Sequence, residues 1–415
     1  MTAAELRISY PRLRARIDAL AELGAIRGRG GEPGSARLAL TDADREGRDL
    51  VVGWMEDLDM GIEVDGIGNV VATWPDAGAP PVLMGSHIDT VATGGRFDGT
   101  LGVLAGLEVV ETLIGSGLAL DRPLAVAFFT NEEGARFPPD MMGSLVYAGG
   151  LPLEEALGTV GIDGAVLGDE LTRIGYVGAG PCPALPPHAY VELHVEQGPI
   201  LEVEGFAIGA VTGVQGISWT EVTVRGQSNH AGTTPMSMRH DAGYVAAAIA
   251  VAVRGLATAT PGLVGTVGRI ELRPNLVNVV AAEAVLTVDL RHTDAATLAA
   301  ARRELTGICD AAALAENVTV TRRTLADFEP VDFDERVIRS VEEVAAELGL
   351  ASRRMPSGAG HDAQMLARVC PAGMVFVPSI GGVSHNPAEL TADADLEAGA
   401  NVLLQVVLRL AGVSA

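Results

Sequence analysis

The chain has 415 residues, 48% hydrophobic and 20% charged, with 51 glycines, which suits two or three compact, loop-rich α/β units better than a coiled coil or a disordered tail. Its 29 basic residues against 53 acidic ones leave a formal net charge of −24, which repels phosphate backbones and anionic membrane surfaces and argues against nucleic acid as a partner. Three widely separated cysteines, Cys182, Cys309 and Cys370, form no C-x-x-C spacing, so neither a disulfide framework nor a cysteine-based zinc site is expected.

The N-terminal segment MTAAELRISYPRLRARIDAL repeats apolar positions at helical spacing but interleaves them with Arg and Glu, unlike a signal peptide, so a cytoplasmic protein is expected. No uncharged apolar run reaches the roughly 18 residues that a membrane span requires. Thr41 opens a second helical pattern, with Asp42 and Asp44 in its first turn. VDGIGNVVATW, PVLMGSHID and RPLAVAFFTNEE then read as β-rich runs ending in polar residues, and TLGVLAGLEVVETLIGSG between the last two is helical. Gly66 and Gly68 do not complete a dinucleotide-binding fingerprint and read as a turn. This alternation predicts a sheet with parallel strands and covering helices, whose functional groups gather where strands end. From Gly213 to about Pro330 the pattern changes to a βαββα block, after which ERVIRSVEEVAAELGL and PAGMVFVPSIGG resume the earlier style. A first domain, residues 1–212 and 331–415, interrupted by an α+β insertion, residues 213–330, accounts for the change.

Metal hydrolases use His nitrogens, carboxylate oxygens and a nearby base, and these residue types concentrate at the strand ends. GSHIDT sets His87 and Asp89 two residues apart, one as ligand and the other orienting it. Asp98 lies between glycines in GGRFDGTLG, where a carboxylate with two oxygens could bridge two ions. TNEEGARF supplies Glu132 and Glu133, one suited to base and one to ligand. ELHVEQGP adds His194 and Glu196, and GGVSHNPAE adds His385. Each piece alone has an ordinary reading: a structural histidine, a solvated acidic pair, a turn aspartate. Their combination from four distant segments points to one metal site. Arg291 ends a predicted strand, where its guanidinium could hold a carboxylate through two parallel hydrogen bonds.

The runs GSHIDTVATGGRFDGTLGV, TNEEGARF, HVEQGPILE, GQSNHAGTTPM, RPNLVNVV, VDLRHTD, SGAGHDA and SHNPAE occur in one order along nearly the whole chain. In them the chain resembles the amidase, or hydantoinase/carbamoylase, branch of the M20 metallopeptidase family. That branch holds N-carbamoyl-L-amino acid hydrolases, allantoate amidohydrolases and β-ureidopropionases. Thr100, where peptidase members carry Lys, and the HVEQGP context favour it over the peptidases.

The resemblance implies an α/β mixed-sheet metallopeptidase-like catalytic domain with helices on both faces and an inserted lid and dimerisation domain. It further implies two divalent ions per subunit, Zn, Mn, Co or Ni, held by His87, Asp98, Glu133, His194 and His385, with Asp98 bridging and a cis peptide bond between Asp98 and Gly99. Glu132 is implied as general base and Asp89 as the partner of His87. Gln197, Asn278, Arg291, Gly360 and His361 are implied to contact a small carboxylate-bearing amide, and His230 to stabilise the tetrahedral intermediate across a homodimer. Asn275 is an alternative to Asn278. The expected activity is hydrolysis of N-carbamoyl-L-amino acids; allantoate amidohydrolase or β-ureidopropionase is the alternative, and an aminoacylase, a dipeptidase or a non-catalytic relative stands further off. No G-x-S-x-G elbow is present for serine hydrolysis.

Overall fold

A computed structural model describes residues 3–75 and 78–413. The chain forms two compact units, Met1–Gly213 with Asp332–Ala415, and Val214–Val331. In the first, helices α1 (Tyr10–Ala21) and α2 (Asp42–Asp57) precede strands β1 (Gly61–Val64), β2 (Val70–Trp74) and β3 (Val82–His87). Helix α3 (Thr100–Ser116) leads to β4 (Leu124–Phe129), and β5 (Ala189–Val195) and β6 (Ile208–Val214) follow a series of short helices. The second unit contains β7 (Gly216–Arg225), α4 (Ala242–Ala259), β8 (Val264–Arg273), β9 (Glu283–His292), α5 (Ala295–Glu316) and β10 (Thr319–Phe328). The chain returns to the first unit with α6 (Glu335–Glu347), β11 (Ser352–Ser357), β12 (Ala372–Val377) and α7 (Asp393–Ala411).

The large sheet runs β6-β12-β5-β3-β4-β2-β1, with β11 beside β6. Its centre, β12, β5, β3 and β4, is parallel, and antiparallel pairings extend it on both sides. The central runs VLMGSH, LAVAFF, AYVELHV and AGMVFV are buried at every position. Successive strand residues point to opposite faces, so uninterrupted burial means that both faces are covered. Helix α2 starts where Thr41 Oγ1 accepts the Asp44 N–H, satisfying one of the free donors of its first turn.

Helix α3 packs on β3 with almost no polar stripe. Glycine makes the approach close: a Cβ on Gly102 would lie 2.7 Å from the Leu193 carbonyl oxygen and 2.9 Å from Ser86 Cβ. This places the N-terminus of α3, and the Asp98 loop before it, against the ends of β3 and β5.

The second unit is a four-stranded antiparallel sheet, β8-β9-β7-β10, with α4 and α5 packed over Val222, Val224, Leu286 and Val288. Strand β10 extends the βαββα pattern by one strand. It pairs with β7 at the sheet edge and is largely exposed, so TVTRRTLADF lacks the buried alternation that marks a strand in sequence. Helix α4 is long and apolar enough to cross a membrane by length and composition. It carries Arg254 and lays Val245, Ala246, Ile249 and Val253 into the core of this unit.

Replacing Gly102 by Ala forces backbone apart, and a stability loss of about 1–3 kcal/mol is expected by urea unfolding. Gly115→Ala on the same helix, where a Cβ meets nothing within 4 Å, is expected to raise stability by about 0.5–1 kcal/mol.

Candidate metal centre and active site

Parallel strands bring their C-terminal ends to one edge of the sheet, and the residues that follow them meet there. His87 ends β3, His194 lies near the end of β5, Glu132 and Glu133 follow β4, and His385 follows β12. Asp98 is the common neighbour. Its Oδ1 lies 3.2 Å from His194 Nε2 and 3.7 Å from His87 Nε2. Its Oδ2 lies 3.5 Å from His385 Nε2, which is 3.3 Å from Glu133 Oε2. Two donor sets therefore share one carboxylate: His87, Asp98 and His194, and Asp98, Glu133 and His385. Donors arranged tetrahedrally at zinc-type bond lengths stand about 3.4 Å apart, so each set fits a divalent cation.

Gly99 adopts φ +66°, and a Cβ there would sit 2.3 Å from the His87 ring. Only glycine lets the imidazole lie against this loop. Among the described residues every cis peptide bond precedes proline, so the Asp98–Gly99 bond is trans, against the expectation from resemblance; the turn is made by the positive φ of Gly99 instead.

The electrostatics separate the acids. Burial lifts the Glu132 carboxyl well above its ordinary range, and Asp362, Glu133, Asp89 and Asp98 push it further. Glu133 is raised by burial and then by Asp98 and Asp89. Burial also pushes Asp98 up, but the hydrogen bond and charge of His194, with His87 and His385, outweigh it and hold Asp98 well below the usual carboxylate range. Burial opposes protonation of His194, yet Asp98 and Glu192 carry it up to about 9. His87 falls to about 4, chiefly through burial.

Residues 83–409 match peptidase family M20/M25/M40. The chain belongs to that family. Its members are metal-dependent hydrolases. The chain is 43% identical over 401 residues to an N-carbamoyl-L-amino-acid amidohydrolase of Rhizobium meliloti, covering 95% of this chain and 96% of that one. It is 38% identical over 337 residues to an allantoate amidohydrolase of Escherichia coli (strain K12), covering 80% and 81%. Among solved structures, a hydantoinase/carbamoylase family amidase from Burkholderia multivorans superposes with a TM-score of 0.93 at 42% identity, covering 98% of each chain. These relatives act on C–N bonds other than peptide bonds.

Within this M20 site, Asp89 orients His87 through its main chain: its carbonyl oxygen lies 2.9 Å from His87 Nδ1, so Nδ1 carries the hydrogen and Nε2 is left for a metal. The Asp89 carboxylate, 3.9 Å from that nitrogen, accepts the N–H groups of Glu132 at 3.2 Å and Glu133 at 3.3 Å. It therefore fixes the acidic pair and not the imidazole. His194 Nδ1 likewise faces the Val195 carbonyl at 2.9 Å, and the Gly99 N–H points at its Nε2 from 3.1 Å.

Gln197, with φ +58°, donates from Nε2 to Asp98 Oδ2 at 2.9 Å. His361 is buried, 2.9 Å from Ser357 Oγ and edge-on to His194. A Cβ on Gly360 would strike Met141 Cε at 2.7 Å. Glu196 is no ligand: it caps the short helix Ile200–Glu204 by accepting the N–H groups of Ile200 and Leu201.

Three acids escaped the sequence reading. Glu192, inside β5, accepts from Ser86 Oγ, Tyr190 OH and the Ala363 N–H, and Asp362 is wholly buried close to it. Glu389 accepts the N–H groups of Phe97 and Asp98, and burial lifts its carboxyl to about 7. A single acidic residue inside a mostly apolar strand was the available signal for Glu192. Glu389 sits at the end of SHNPAE with nothing periodic to mark it.

In the second unit, His230 and Asn278 are neighbours. The pair Asn229–His230 bonds to Val279–Val280, and the Ala231 N–H donates to the Asn278 carbonyl. His230 Nδ1 accepts from Gly232 and Thr233, which leaves Nε2–H as the ring donor. Arg291 lies at the opposite end of β9: Glu283 pairs with Arg225, whereas Arg291 pairs with Ile217. Eight residues of strand, from Glu283 to Arg291, span about 27 Å, and Asn278 comes five residues before Glu283, where β9 begins. Arg291 also makes a fork to Asp289, with Nε and Nη2 contacts of 2.9–3.2 Å.

Because Asp98 keeps a proton on His194 up to about pH 9, a cation entering that donor set displaces it. Zinc affinity is expected to rise by about tenfold per pH unit between 6 and 8 from this group. Calorimetry in two buffers of different ionisation enthalpy should record about one proton released there, and a pH-independent affinity would contradict the assignment.

Proposed function

We propose that the chain is an N-carbamoyl-L-amino acid amidohydrolase, converting its substrate and one water to the L-amino acid, carbon dioxide and ammonia. The observation that carries this reading is Asp98, whose two oxygens serve two donor sets while Glu132 Oε2 stands 3.3 Å from His87 Nε2. His87, Asp98 and His194 would hold one divalent ion, and Asp98, Glu133 and His385 a second; nitrogen and carboxylate donors accept Zn, Mn, Co or Ni. When bound, the ions supply Lewis-acid stabilisation of negative oxygen and a lowered pKa for water.

The protein's own groups supply the proton transfers. Glu132, held by Asp89 through its N–H, takes a proton from the attacking water and delivers it to the departing nitrogen as the carbamoyl C–N bond breaks. A raised carboxyl suits both duties, since it binds the proton firmly enough to keep it and loosely enough to return it. His230 donates Nε2–H to the oxyanion of the tetrahedral intermediate. Arg291, steadied by Asp289, receives the substrate carboxylate. Gln197, Gly360 and His361 contact the substrate close to Asp98.

His230 and Asn278 at one end of the small sheet and Arg291 at the other are readily combined if a homodimer supplies the first two from its second copy. A cytoplasmic location agrees with three unpaired cysteines. The second reading, an allantoate amidohydrolase, draws on the relative of that name.

Glu132→Gln is expected to lower kcat by about 10²–10⁴ with metal content unchanged, read by ammonia release beside metal analysis. Mixing inactive His230→Ala and Glu132→Gln subunits should restore about one quarter of wild-type activity, because each mixed dimer rebuilds one intact site; no recovery after confirmed exchange rejects the shared site. Across N-carbamoyl-L-amino acids, β-ureidopropionate and allantoate, the first class should give the highest kcat/KM, and preference for allantoate would exchange the two readings.

A further inference from the structure

We infer that Glu389 is a positioning residue for the metal centre: its carboxylate grips the backbone of the loop carrying Asp98 and, through Ser384, that aspartate's side chain. This rests on the metal-centre reading above.

Glu389 is 3% exposed. Its Oε1 accepts the Phe97 N–H at 3.0 Å and the Asp98 N–H at 3.2 Å. Phe97 and Asp98 are themselves buried, so neither N–H has water as a ready substitute. A Cβ on Gly95 would lie 2.2 Å from Glu389 Oε1, so glycine at 95 lets the carboxylate reach under the turn. The other oxygen, Oε2, stands 3.1 Å from Ser384 Oγ, and that hydroxyl is also 3.1 Å from Asp98 Oδ2. Asp98 is thus fixed from its main chain and its side chain by one acid. Glu389 follows His385 by four residues, so the segment that carries one donor also sets the orientation of the carboxylate shared by both sets.

A serine hydroxyl has one hydrogen and faces two carboxylates here. Glutamine at 389 meets the same geometry: its carbonyl oxygen can accept both backbone N–H groups, and its amide can donate to Ser384 Oγ while the hydroxyl donates to Asp98. Leucine fills similar space and accepts nothing. The pair separates the hydrogen-bonding role from simple packing.

The experiment compares wild type, Glu389→Gln and Glu389→Leu by zinc affinity from chelator competition, by the visible spectrum of the cobalt-loaded protein, and by thermal unfolding of metal-stripped protein. Glu389→Leu is expected to lose about 10–100-fold in affinity for at least one zinc equivalent, as disrupted supporting contacts of metal ligands usually do, with a changed cobalt spectrum. Glu389→Gln should stay within about threefold of wild type and keep its spectrum. A merely structural residue would lower the unfolding temperature of Glu389→Leu while leaving affinity and spectrum untouched, and that result overturns the inference. Should Glu389→Leu not fold, Ser384→Ala provides the second variant: an altered cobalt spectrum supports the inference and an unaltered one overturns it. Wild-type protein that binds no zinc would instead reject the metal-centre reading itself.

Discussion

Carboxylates buried together repel, and this molecule packs them around one shared aspartate. Asp98, Glu132, Asp89, Glu192, Asp362 and Glu389 are all nearly inaccessible to water. A carboxylate moved out of water without a counter-charge is unfavourable enough that it normally takes up a proton. Burial, and after it the neighbouring carboxylates, lift Glu132, Glu133 and Asp362 well above their ordinary range. Asp98 alone is pushed the other way, because histidines face both of its oxygens. The array is consistent with a place where positive charge is to be received. A folded domain that needed only stability would be expected to replace such a cluster with apolar side chains.

Holding like charges in register demands rigid backbone, and the fold supplies it by turning side chains onto main-chain groups. Asp89 accepts two consecutive N–H groups beyond β4, Glu389 two in the Asp98 loop, and Glu196 two at the start of a short helix. Cations do the same for carbonyls. The guanidinium of Arg37 is fully buried and donates to Leu20, Leu23 and Ile88, and Arg48 joins Asp44, the Gly68 carbonyl and Thr130. Helix α2, which carries Asp44 and Arg48, thereby reaches the turn before β2 and the end of β4, while Arg37, ahead of that helix, holds the end of β3. The donor sets are precise because the strand ends behind them are tied, and ligand atoms at this spacing tolerate little drift.

Much of this was legible in the sequence, for identifiable reasons. Strands buried on both faces read as nearly continuous apolar runs, and the polar residues that end them had to lie at one edge of a parallel sheet. His87, Asp98, Glu133, His194 and His385 stood out because metal-binding side chains fall there together. Second-layer groups were harder to read, since their partners are backbone atoms without a sequence signature: Glu389 is one more acid in a loop, and Arg37 one more arginine. Asp89 was found, but spacing alone could not tell whether its carbonyl or its carboxylate turns toward His87. Strand β10 was hidden because an exposed edge buries too little to alternate. Asn278 and Arg291 looked like one clamp because sequence order does not display that Asn278 comes before the Glu283 end of β9 while Arg291 lies near the other end.

The chain's charge of −24 bears on how an anionic amide could be held at all. A negative surface repels a carboxylate at long range, and Arg291 offers little net attraction by itself, because Asp289 already matches its charge. What the fork does provide is direction: a guanidinium held by one carboxylate presents a fixed edge to another group. Direction without net charge gives selectivity but weak binding. For the proposed substrate, strong attraction would then come from cations held at the Asp98 cluster, where the buried acids gather. On this reasoning, cation loading and substrate affinity are two aspects of one electrostatic problem. For the carboxylate-bearing substrate proposed above, the deepest negative charge of so acidic a chain would be the part that recruits the positive charge to hold it.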